Sequence, residues 1–424
     1  MVMNYWFTDP MLKALLPLAA SSSIRGLSSA FATPKIFMGP NALPEGMVMG
    51  ATALDAFDAT CPRKRAFLVT DAIGEKHASK VARILESRGF ATQIWNKALP
   101  EAPLDNVRES GQAMTQFEPD LIVAVGGGSV IDGAKAAWVH YERPDITDLA
   151  LVGPFTPLNL RKKARLAAIP TTSGTGSECT SVFVAHDTAA HRKVPVASGE
   201  LMPDWAILIP EFTATMPPKL TVGTGMDVLA HAMDCPPAVG GNELTDYLAV
   251  AATEMVFKYL PKAYRNGQDM EARFRMLLAS STAGIAFGQG GVALTHSFGH
   301  SIGSLFHVHH GLAVGIFIPF VFQFYHPVTD KHLIFCNALG VTGKNRDQLL
   351  TRLIDRIRKL FRELGVPLSL KELGIKKGDF KQQMEKLVVY TVEDIDTYFS
   401  PRPMTADQCA KIFQYAYEGK DIDF

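Results

Sequence analysis

Short apolar runs alternate with helical patterns throughout the first half of this 424-residue chain, and no other feature restricts its fold as strongly. Four runs that read as strands precede residue 170, at 66–70, 91–95, 121–125 and 165–169. Between the first two runs, Val81, Ile84 and Leu85 recur at helical spacing within residues 75–88. Because parallel strands need a long crossover connection, usually a helix, the alternation predicts an α/β domain with a parallel sheet of the nucleotide-binding type.

The second half of the chain follows a different pattern. A run at 205–209 is the last predicted strand, and Pro210, Pro217 and Pro218 mark a hinge after it. Beyond the hinge, helical periodicity extends through four long segments, at 244–264, 270–287, 347–364 and 405–418. We therefore expect an N-terminal extension at 1–32, a dinucleotide-binding α/β domain at 33–211, and an all-α helical bundle domain at 212–424.

The N-terminal extension allows two interpretations. Between Lys13 and Thr33 there are two cations, no acid, and many serines and alanines, a composition that faintly resembles a targeting peptide. Asp9 and the aromatic residues before it favour a segment that packs on the protein. We expect the second alternative.

Composition excludes several classes of function. Lysine plus arginine and aspartate plus glutamate both number 42, and a chain without net charge lacks the basic surface of a nucleic-acid binder. The longest apolar runs are too short for a membrane span. The five cysteines form no C-x-x-C pair, which fits a reducing compartment. We expect a soluble, cytoplasmic protein that binds a small molecule, with neither nucleic acid nor membrane as a partner.

Five of the twelve histidines lie between Gly291 and Gly311, in the stretch GVALTHSFGHSIGSLFHVHHG. His296 and His300 are four residues apart, so on a helix they share one face. His310 returns to the level of His296 only if the chain folds back, and Gly303 and the FHVHHG segment are the places where the helix can end and turn.

A second pair with the same spacing lies upstream, in GMDVLAHAMD. Asp227 and His231 are four residues apart, so their side chains point the same way on a helix. With His296 and His310 they form a set of one oxygen and three nitrogen donors. Such a set suits Fe(II) or Zn(II) better than calcium or magnesium. A single histidine on an apolar helix is more often an ordinary core residue, but two such pairs in one chain favour a metal site.

Five sequence blocks occur in an order that resembles the iron-containing (group III) alcohol dehydrogenases. The blocks are GGGSVID, AIPTTSGTGSE, GMDVLAHAMD, THSFGHSIG and HHGLAVGIFIP, and the resemblance extends from about Thr33 to the C-terminus. It implies a metal-dependent oxidoreductase that transfers a hydride between an alcohol and an aldehyde or ketone, using NAD. It further implies Fe(II), with Zn(II) as the alternative, a proton-relay or supporting role for His300, and a homodimer or larger homo-oligomer.

Two loops that follow predicted strands are the expected cofactor site. Glycines after a strand let the backbone approach a phosphate, and the amides at the following helix N-terminus donate to it. The turn is not G-x-G-x-x-G, because Ile131 occupies the third glycine position, and it is not a P-loop, because Ala134 occupies the lysine position. The resemblance assigns this turn to the pyrophosphate, the PTTSGTGSE loop to the side of the cofactor, and the lysine of RKVPVA to the nicotinamide ribose. The residues expected to bind are Gly126, Gly127, Gly128, Ser129, Val130, Thr171, Thr172, Thr175 and Lys193.

Asp71 follows the strand predicted at 66–70. A carboxylate at the end of such a strand binds the two ribose hydroxyls and repels a 2′-phosphate. The sequence therefore predicts NAD rather than NADP.

Several positions depart from the family pattern. Cys235, Pro236 and Pro237 follow HAMD where relatives continue a helix, which predicts a short ligand helix beyond His231. Because the departures spare the ligands, they leave the substrate open more than the chemistry. Three alternatives remain: a hydroxyacid–oxoacid transhydrogenase that never releases NAD, a dehydroquinate-synthase-like lyase that uses bound NAD, and a relative with a vestigial site.

Overall fold

The computed structural model describes residues 31–48, 50–190 and 192–424, together with Pro10, Met11 and Ala14. These residues form two compact units, of which the first contains Phe31–Met216 and the second Pro217–Phe424. The extension expected at 1–32 lies almost wholly outside the described residues, so it stays a prediction.

Ten strands are present in the described part of the first unit. They are β1 (Lys35–Met38), β2 (Met47–Val48), β3 (Ala51–Thr52), β4 (Arg65–Val69), β5 (Ala91–Trp95), β6 (Leu121–Gly126), β7 (Arg165–Pro170), β8 (Val182–Asp187), β9 (Arg192–Ala197) and β10 (Trp205–Leu208). Six of them form one sheet in the order β1-β10-β7-β6-β4-β5, with every neighbouring pair parallel. The pairs β2–β3 and β8–β9 are antiparallel.

Helices connect these strands and bury the sheet. The helices of the first unit are α1 (Ala42–Glu45), α2 (Ala53–Thr60), α3 (Glu75–Ser87), α4 (Leu104–Phe117) and α5 (Gly128–Glu142). Every residue of β6 is buried, as expected for a central parallel strand that is covered on both faces.

The strand order reverses at one place in this sheet. From β4 the chain moves outward to β5, and from β6 it moves in the other direction to β7 and β10. In open α/β sheets, ligands bind outside the carboxyl ends of the strands at such a switch point. The carboxyl ends of β4 and β6 are therefore the place to look for a cofactor.

The second unit is entirely helical. Its helices are α6 (Pro218–Asp234), α7 (Glu243–Arg265), α8 (Met270–Gly290), α9 (Leu294–Phe306), α10 (His310–Gly315), α11 (Ile318–Tyr325), α12 (His332–Ala338), α13 (Arg346–Leu364), α14 (Lys377–Glu393) and α15 (Ala406–Glu418), with a short 3-10 helix at Ile395–Phe399. No strand occurs within residues 217–424, all of which are described. The predicted fold class, an α/β unit with a parallel sheet followed by an all-α bundle, is confirmed.

Helix α6 lies at the centre of the second unit and is buried on nearly all sides. It begins with Pro218 at its first position, where a missing N–H removes no helical hydrogen bond. It ends at Asp234, three residues after His231, because Pro236 and Pro237 cannot continue a helix. A helix that is apolar all round suits a core position, and its polar residues there need a partner or a ligand.

Three features of the fold differ from the sequence prediction. Strand β1 and the β8–β9 hairpin were not expected: β1 has only four residues, and Pro195 and several charges obscure the hairpin. Gly303, one of the two predicted ends of the helix, lies inside it, and α9 ends at Phe306, at the start of the FHVHHG segment that was the other predicted end. One interior glycine costs a helix only about 1 kcal/mol, which the packing of α9 outweighs.

A helix that crosses a membrane needs about 20 consecutive, mostly apolar residues. No single helix in the described part of the chain is long and apolar enough to do so. Helices α8 and α9 meet the length and composition criterion only as a pair, and they are bent by 108° relative to each other.

Candidate metal centre and nucleotide site

Asp227 and His231 lie one turn apart on the buried helix α6. The carboxylate Oδ1 of Asp227 is 3.9 Å from Nδ1 of His231, and the two residues are 3% and 6% exposed. The ring of His231 stacks on Phe287 of α8, with centroids 4.1 Å apart. The predicted pair of Asp227 and His231 therefore lies on one face of α6, with the Phe287 ring beside it.

A fold-back of the chain after α9 brings His310 close to Asp227. His307 ends α9 in the left-handed conformation, with φ 53° and ψ 35°, and α10 begins at His310. As a result, Nε2 of His310 lies 3.4 Å from Oδ1 of Asp227. The fold-back occurs in the FHVHHG segment, one of the two predicted places.

Close packing of α10 on α6 makes this approach possible. A Cβ atom on Gly311 would lie 1.9 Å from the carbonyl oxygen of Gly223 and 2.9 Å from Cβ of Asp227. Any side chain at Gly311 would push α10 away from α6, and His310 would move with it.

Three of the four predicted ligands converge on one point, and His310 approaches this group through Asp227. Donor atoms of Asp227, His231 and His296 all lie within 4.8 Å of one another. Ligand atoms bound at about 2.1 Å to a tetrahedral ion are roughly 3.4 Å apart, so these three donor atoms would move slightly closer together on binding one ion. His296 is 2% exposed, and its Nε2 has no hydrogen-bond partner in the described part of the chain. The donor set and this buried nitrogen fit a divalent metal ion.

Asp234, the last residue of α6, supports this centre, and the sequence analysis missed it. Its Oδ2 lies 3.0 Å from Nδ1 of His296 and accepts from the backbone N–H groups of Ala293 and His296. A carboxylate at Nδ1 keeps the proton on that nitrogen and leaves Nε2 as the ligand atom. The signal in the sequence was an acid three residues after His231, at the end of an otherwise apolar helix.

The protonation state of His296 suits a ligand. Burial lowers the pKa of this imidazole, while the charge and hydrogen bond of Asp234 act in the opposite direction. Because the net shift is downward, the ring is neutral at neutral pH, as metal ligation requires.

His300 lies beside the four residues predicted as ligands and is not one of them. Its ring stacks on that of His310 with centroids 5.4 Å apart, and its side chain is 28% exposed. Its Nδ1 lies 3.0 Å from Oδ2 of Asp394. The ring is therefore both anchored and accessible.

In the first unit, the predicted glycine turn follows β6 at the switch point. The backbone N–H of Thr171 donates to the carbonyl of Gly126, which joins this turn to the loop after β7. A Cβ on Gly127 would lie 3.2 Å from the hydroxyl of Thr172, and one on Gly128 would lie 2.5 Å from the methyl of Thr175. Because the two loops lie face to face, glycine is needed here for close packing as well as for access to a phosphate.

The remaining predicted cofactor residues lie around this turn. Val130 packs its side chain over Gly126. The hydroxyl of Ser129 accepts from the N–H of Glu101, and a carboxylate oxygen of Glu101 lies 3.4 Å from Nζ of Lys193. Lys193 is carried there by strand β9, so the unpredicted hairpin positions a predicted residue.

Asp71 lies just beyond the end of β4, next to the glycine turn in the strand order. Its Oδ1 accepts from the N–H of Gly74 at 2.6 Å, which holds the side chain in a defined orientation. The residue is half-buried. This is the position in which a carboxylate meets a ribose in a dinucleotide fold.

Lys135 of α5 is a second residue that the sequence analysis missed. It is fully buried, and its ammonium donates to the carbonyl oxygens of Ser177, Thr180 and Val182 at 2.7–2.8 Å. Burial lowers its pKa to about 8. The contacts tie the end of the threonine-rich loop to the helix that begins at the glycine turn.

Two family models match nearly the whole chain. A model described as iron-containing alcohol dehydrogenase matches residues 44–210. A model described as the C-terminal part of the Fe-containing alcohol dehydrogenase family matches residues 221–417.

Individual relatives agree with the family models. The chain is 35% identical to an NADPH-dependent butanol dehydrogenase from Clostridium saccharobutylicum, over 90% of this chain and 99% of the relative. It is 33% identical to an NAD-dependent methanol dehydrogenase from Bacillus methanolicus, over 83% of this chain and 92% of the relative. Among solved structures, an alcohol dehydrogenase from Oenococcus oeni superposes with a TM-score of 0.84 at 25% identity, covering 92% of this chain and all of that one.

Proposed function

This chain belongs to the iron-containing alcohol dehydrogenase family, and we propose that its metal-dependent hydride transfer uses NAD and an ion held by Asp227, His231, His296 and His310. The resemblance found in the sequence is confirmed by the family models. The protein is an oxidoreductase that acts on an alcohol or aldehyde with a nicotinamide cofactor. The identity of each site residue, the choice of NAD and the substrate are the proposed parts.

The observation that carries the ligand assignment is the buried Nε2 of His296. A buried nitrogen acceptor without a partner costs on the order of 1–3 kcal/mol, and a metal ion removes that cost. Nε2 of His310 lies 3.4 Å from Oδ1 of Asp227, so two further donor atoms are available to the same ion. An ion bound by these residues stabilises the negative charge that develops on the substrate oxygen.

The other residues hold the reacting groups in position, exclude water and move the proton. Phe287 shields one side of the centre and holds the ring of His231 by stacking. His300 is accessible and takes the proton that leaves the alcohol, or returns it in the reverse direction. The glycine turn Gly126–Gly128 accommodates the pyrophosphate, and first-turn amides of α5 donate to it.

The cofactor is NAD rather than NADP in this proposal. Asp71 is fixed by its bond to the Gly74 N–H at the end of β4. Its carboxylate accepts from ribose hydroxyls and repels a phosphate at the same place. The relatives include enzymes named for each cofactor, so the family alone leaves this choice open.

We further propose a small primary alcohol, or the corresponding aldehyde, as substrate, because the similar enzymes are named for butanol and methanol. The decisive experiment loads the protein with Fe(II) or Zn(II) without oxygen and follows NADH formation over a panel of primary alcohols. Release of free NADH supports the dehydrogenase. No release with any alcohol, but exchange of hydride between a hydroxy acid and an oxo acid, would favour the transhydrogenase instead. If neither NADH release nor hydride exchange occurs, and the protein binds no metal, the site is vestigial.

A variant separates the ligand assignment from the activity. His296→Ala should lose both bound metal, by elemental analysis, and turnover. His326→Ala removes a half-buried histidine of the same unit, paired with the exposed Asp347, and should retain both. Full metal content in His296→Ala would remove this residue from the ligand set.

We propose a cytoplasmic location and a homodimer or larger homo-oligomer. All five cysteines are described, buried and free, which suits a reducing compartment. Within the described residues, β1 and β5 are the outer strands of the sheet, and such edges readily pair with another chain. Light scattering of the purified protein tests the oligomer, and a monomer at micromolar concentration would contradict it.

A further inference from the structure

His300 is held by a pair of carboxyl side chains that have no role in the proposed function. Its Nδ1 lies 3.0 Å from Oδ2 of Asp394 and 3.7 Å from Oδ2 of Asp396. The two carboxyl side chains are 17% and 16% exposed. They come from the segment that follows α14, so a distant part of the chain reaches the histidine-bearing helix.

Asp394 is itself rigidly held. Its Oδ1 accepts from the backbone N–H of Asp396 at 2.9 Å and from the hydroxyl of Ser297 at 3.3 Å. Ser297 lies on α9, one turn before His300. The same helix therefore fixes the carboxylate and presents the ring that it binds. With Oδ1 occupied by these two donors, Oδ2 is the atom left for the imidazole.

Asp396 differs from Asp394 in its protonation. Burial raises the pKa of Asp396 well above its ordinary value, and the negative charge of Asp394 raises it further. The pKa of Asp394 is lowered: burial acts against this shift, but the charge and hydrogen bond of His300 outweigh it. These opposite shifts favour a pair with one negative charge, on Asp394, and with Asp396 as a neutral acid hydrogen-bonded to it.

We propose that Asp394 is a positioning residue that fixes the ring and the tautomer of His300. The carboxylate holds the imidazole proton on Nδ1, so the lone pair is on Nε2, on the opposite side of the ring. Nε2 then accepts the substrate proton, a step that depends on the proposed function. Only a proton moves, from the alcohol oxygen to Nε2, so no further reactant is needed.

The same three side chains allow a different interpretation. One ligand atom from each of His300, Asp394 and Asp396 lies within 4.8 Å of the others, which is compatible with a second metal ion. The two alternatives predict opposite charges for Asp396. A metal ligand must be ionised, whereas a partner of Asp394 that donates a hydrogen bond must be neutral.

The first experiment reads the tautomer directly. Nitrogen-15 spectra of histidine-labelled, Zn(II)-loaded protein distinguish the protonated from the unprotonated ring nitrogen, and His300→Gln identifies the signal. We expect a protonated Nδ1 and an unprotonated Nε2 in the unmodified protein. The opposite tautomer would overturn the proposal. Because this measurement needs no turnover, it stands apart from any failure of the dehydrogenase assay.

Asp394→Asn should reverse the tautomer. The donors Ser297 and Asp396 N–H fix the amide oxygen at the Oδ1 position, so the amide NH₂ faces His300 and donates to its Nδ1. We expect kcat to fall by about 100-fold, the scale of a lost general base, with KM and metal content nearly unchanged. Equal loss of bound metal would indicate a purely structural defect and would contradict a positioning role.

Asp396→Asn distinguishes the neutral acid from a metal ligand. An asparagine still donates a hydrogen bond to Asp394, so we expect kcat to remain within roughly threefold of the unmodified enzyme, the change expected for one exchanged neutral hydrogen bond. Asp347→Asn is the matched control, because it alters the exposed carboxylate of another histidine–carboxylate pair in the unit. Two bound ions per chain, with one lost in Asp396→Asn, would overturn the proposal.

Discussion

Oδ2 of Asp234 lies 3.0 Å from Nδ1 of His296, and both residues are buried in the second unit. One turn along α9, His300 has the same 3.0 Å distance to Asp394. Two histidines on one helix are therefore each bound at Nδ1 by a carboxylate from another segment. This arrangement leaves both Nε2 atoms for chemistry, one for an ion and one for a proton.

Asp234→Asn should weaken metal binding. The amide can no longer hold the proton on Nδ1 of His296 as strongly, so part of the population has its proton on the ligand nitrogen. We expect roughly a 10- to 100-fold loss of affinity for Zn(II), measured by competition with a chromogenic chelator. Asp347→Asn serves as the control, and an unchanged affinity in Asp234→Asn would show that the carboxylate does not support the ligand.

Asp71→Asn should shift the cofactor preference toward NADP. The asparagine oxygen still accepts from the Gly74 N–H, so the loop is preserved while the negative charge is removed. We expect the ratio of kcat/KM for NADP to that for NAD to rise by about tenfold, or about 1.4 kcal/mol. If the ratio stays constant, Asp71 does not determine the preference.

Lys135→Met should destabilise the first unit and weaken cofactor binding. The substitution leaves the carbonyls of Ser177, Thr180 and Val182 without their donor in the interior. We expect a loss of about 3 kcal/mol in the free energy of unfolding in urea, and a higher Kd for NAD by calorimetry. Lys162→Met, at an exposed position, should change neither, and an unaffected Lys135→Met would show that these bonds are dispensable.

Stability should fall as the pH decreases below neutrality. Burial lowers the pKa of His140 in the first unit and of His332 in the second. Unfolded imidazoles take up a proton near pH 6.5, before the folded ones do. The unfolded state then binds more protons, so the free energy of unfolding decreases as pH falls from about 6.5 towards the lowered pKa values.

Urea titrations between neutral and mildly acidic pH test this direction. His140→Gln and His332→Gln should each flatten the dependence, because glutamine does not titrate. A free energy of unfolding that stays level, or rises, on acidification would contradict the assignment.

The alternation of apolar runs and helical patterns was enough to predict the fold class. Runs such as 121–125 are buried on both faces, so they are continuously apolar and easy to recognise. Strand β1 and the β8–β9 hairpin were missed for the opposite reason. Their residues alternate with exposed, charged or proline positions, and only tertiary pairing makes them strands.

Asp227, His231 and His296 were recognised because i,i+4 spacing on a helix is a local property. Asp234 and Asp394 were not, because their relation to His296 and His300 depends on how separate segments pack. Asp394 lies 94 positions from His300, and no periodicity connects the two. The sequence left two possible ends for α9, Gly303 and the FHVHHG segment, and the left-handed His307 of the second makes the turn.

Strand β1 pairs with β10, so the first and last strands of the large sheet are neighbours, with Lys35 opposite Trp205. During synthesis β1 leaves the ribosome long before its partner exists. It must wait as an unpaired segment until nearly the whole first unit has been translated. Closure of the sheet is therefore a late event in biogenesis, and slow elongation before residue 205 should lengthen the time during which a chaperone can bind β1.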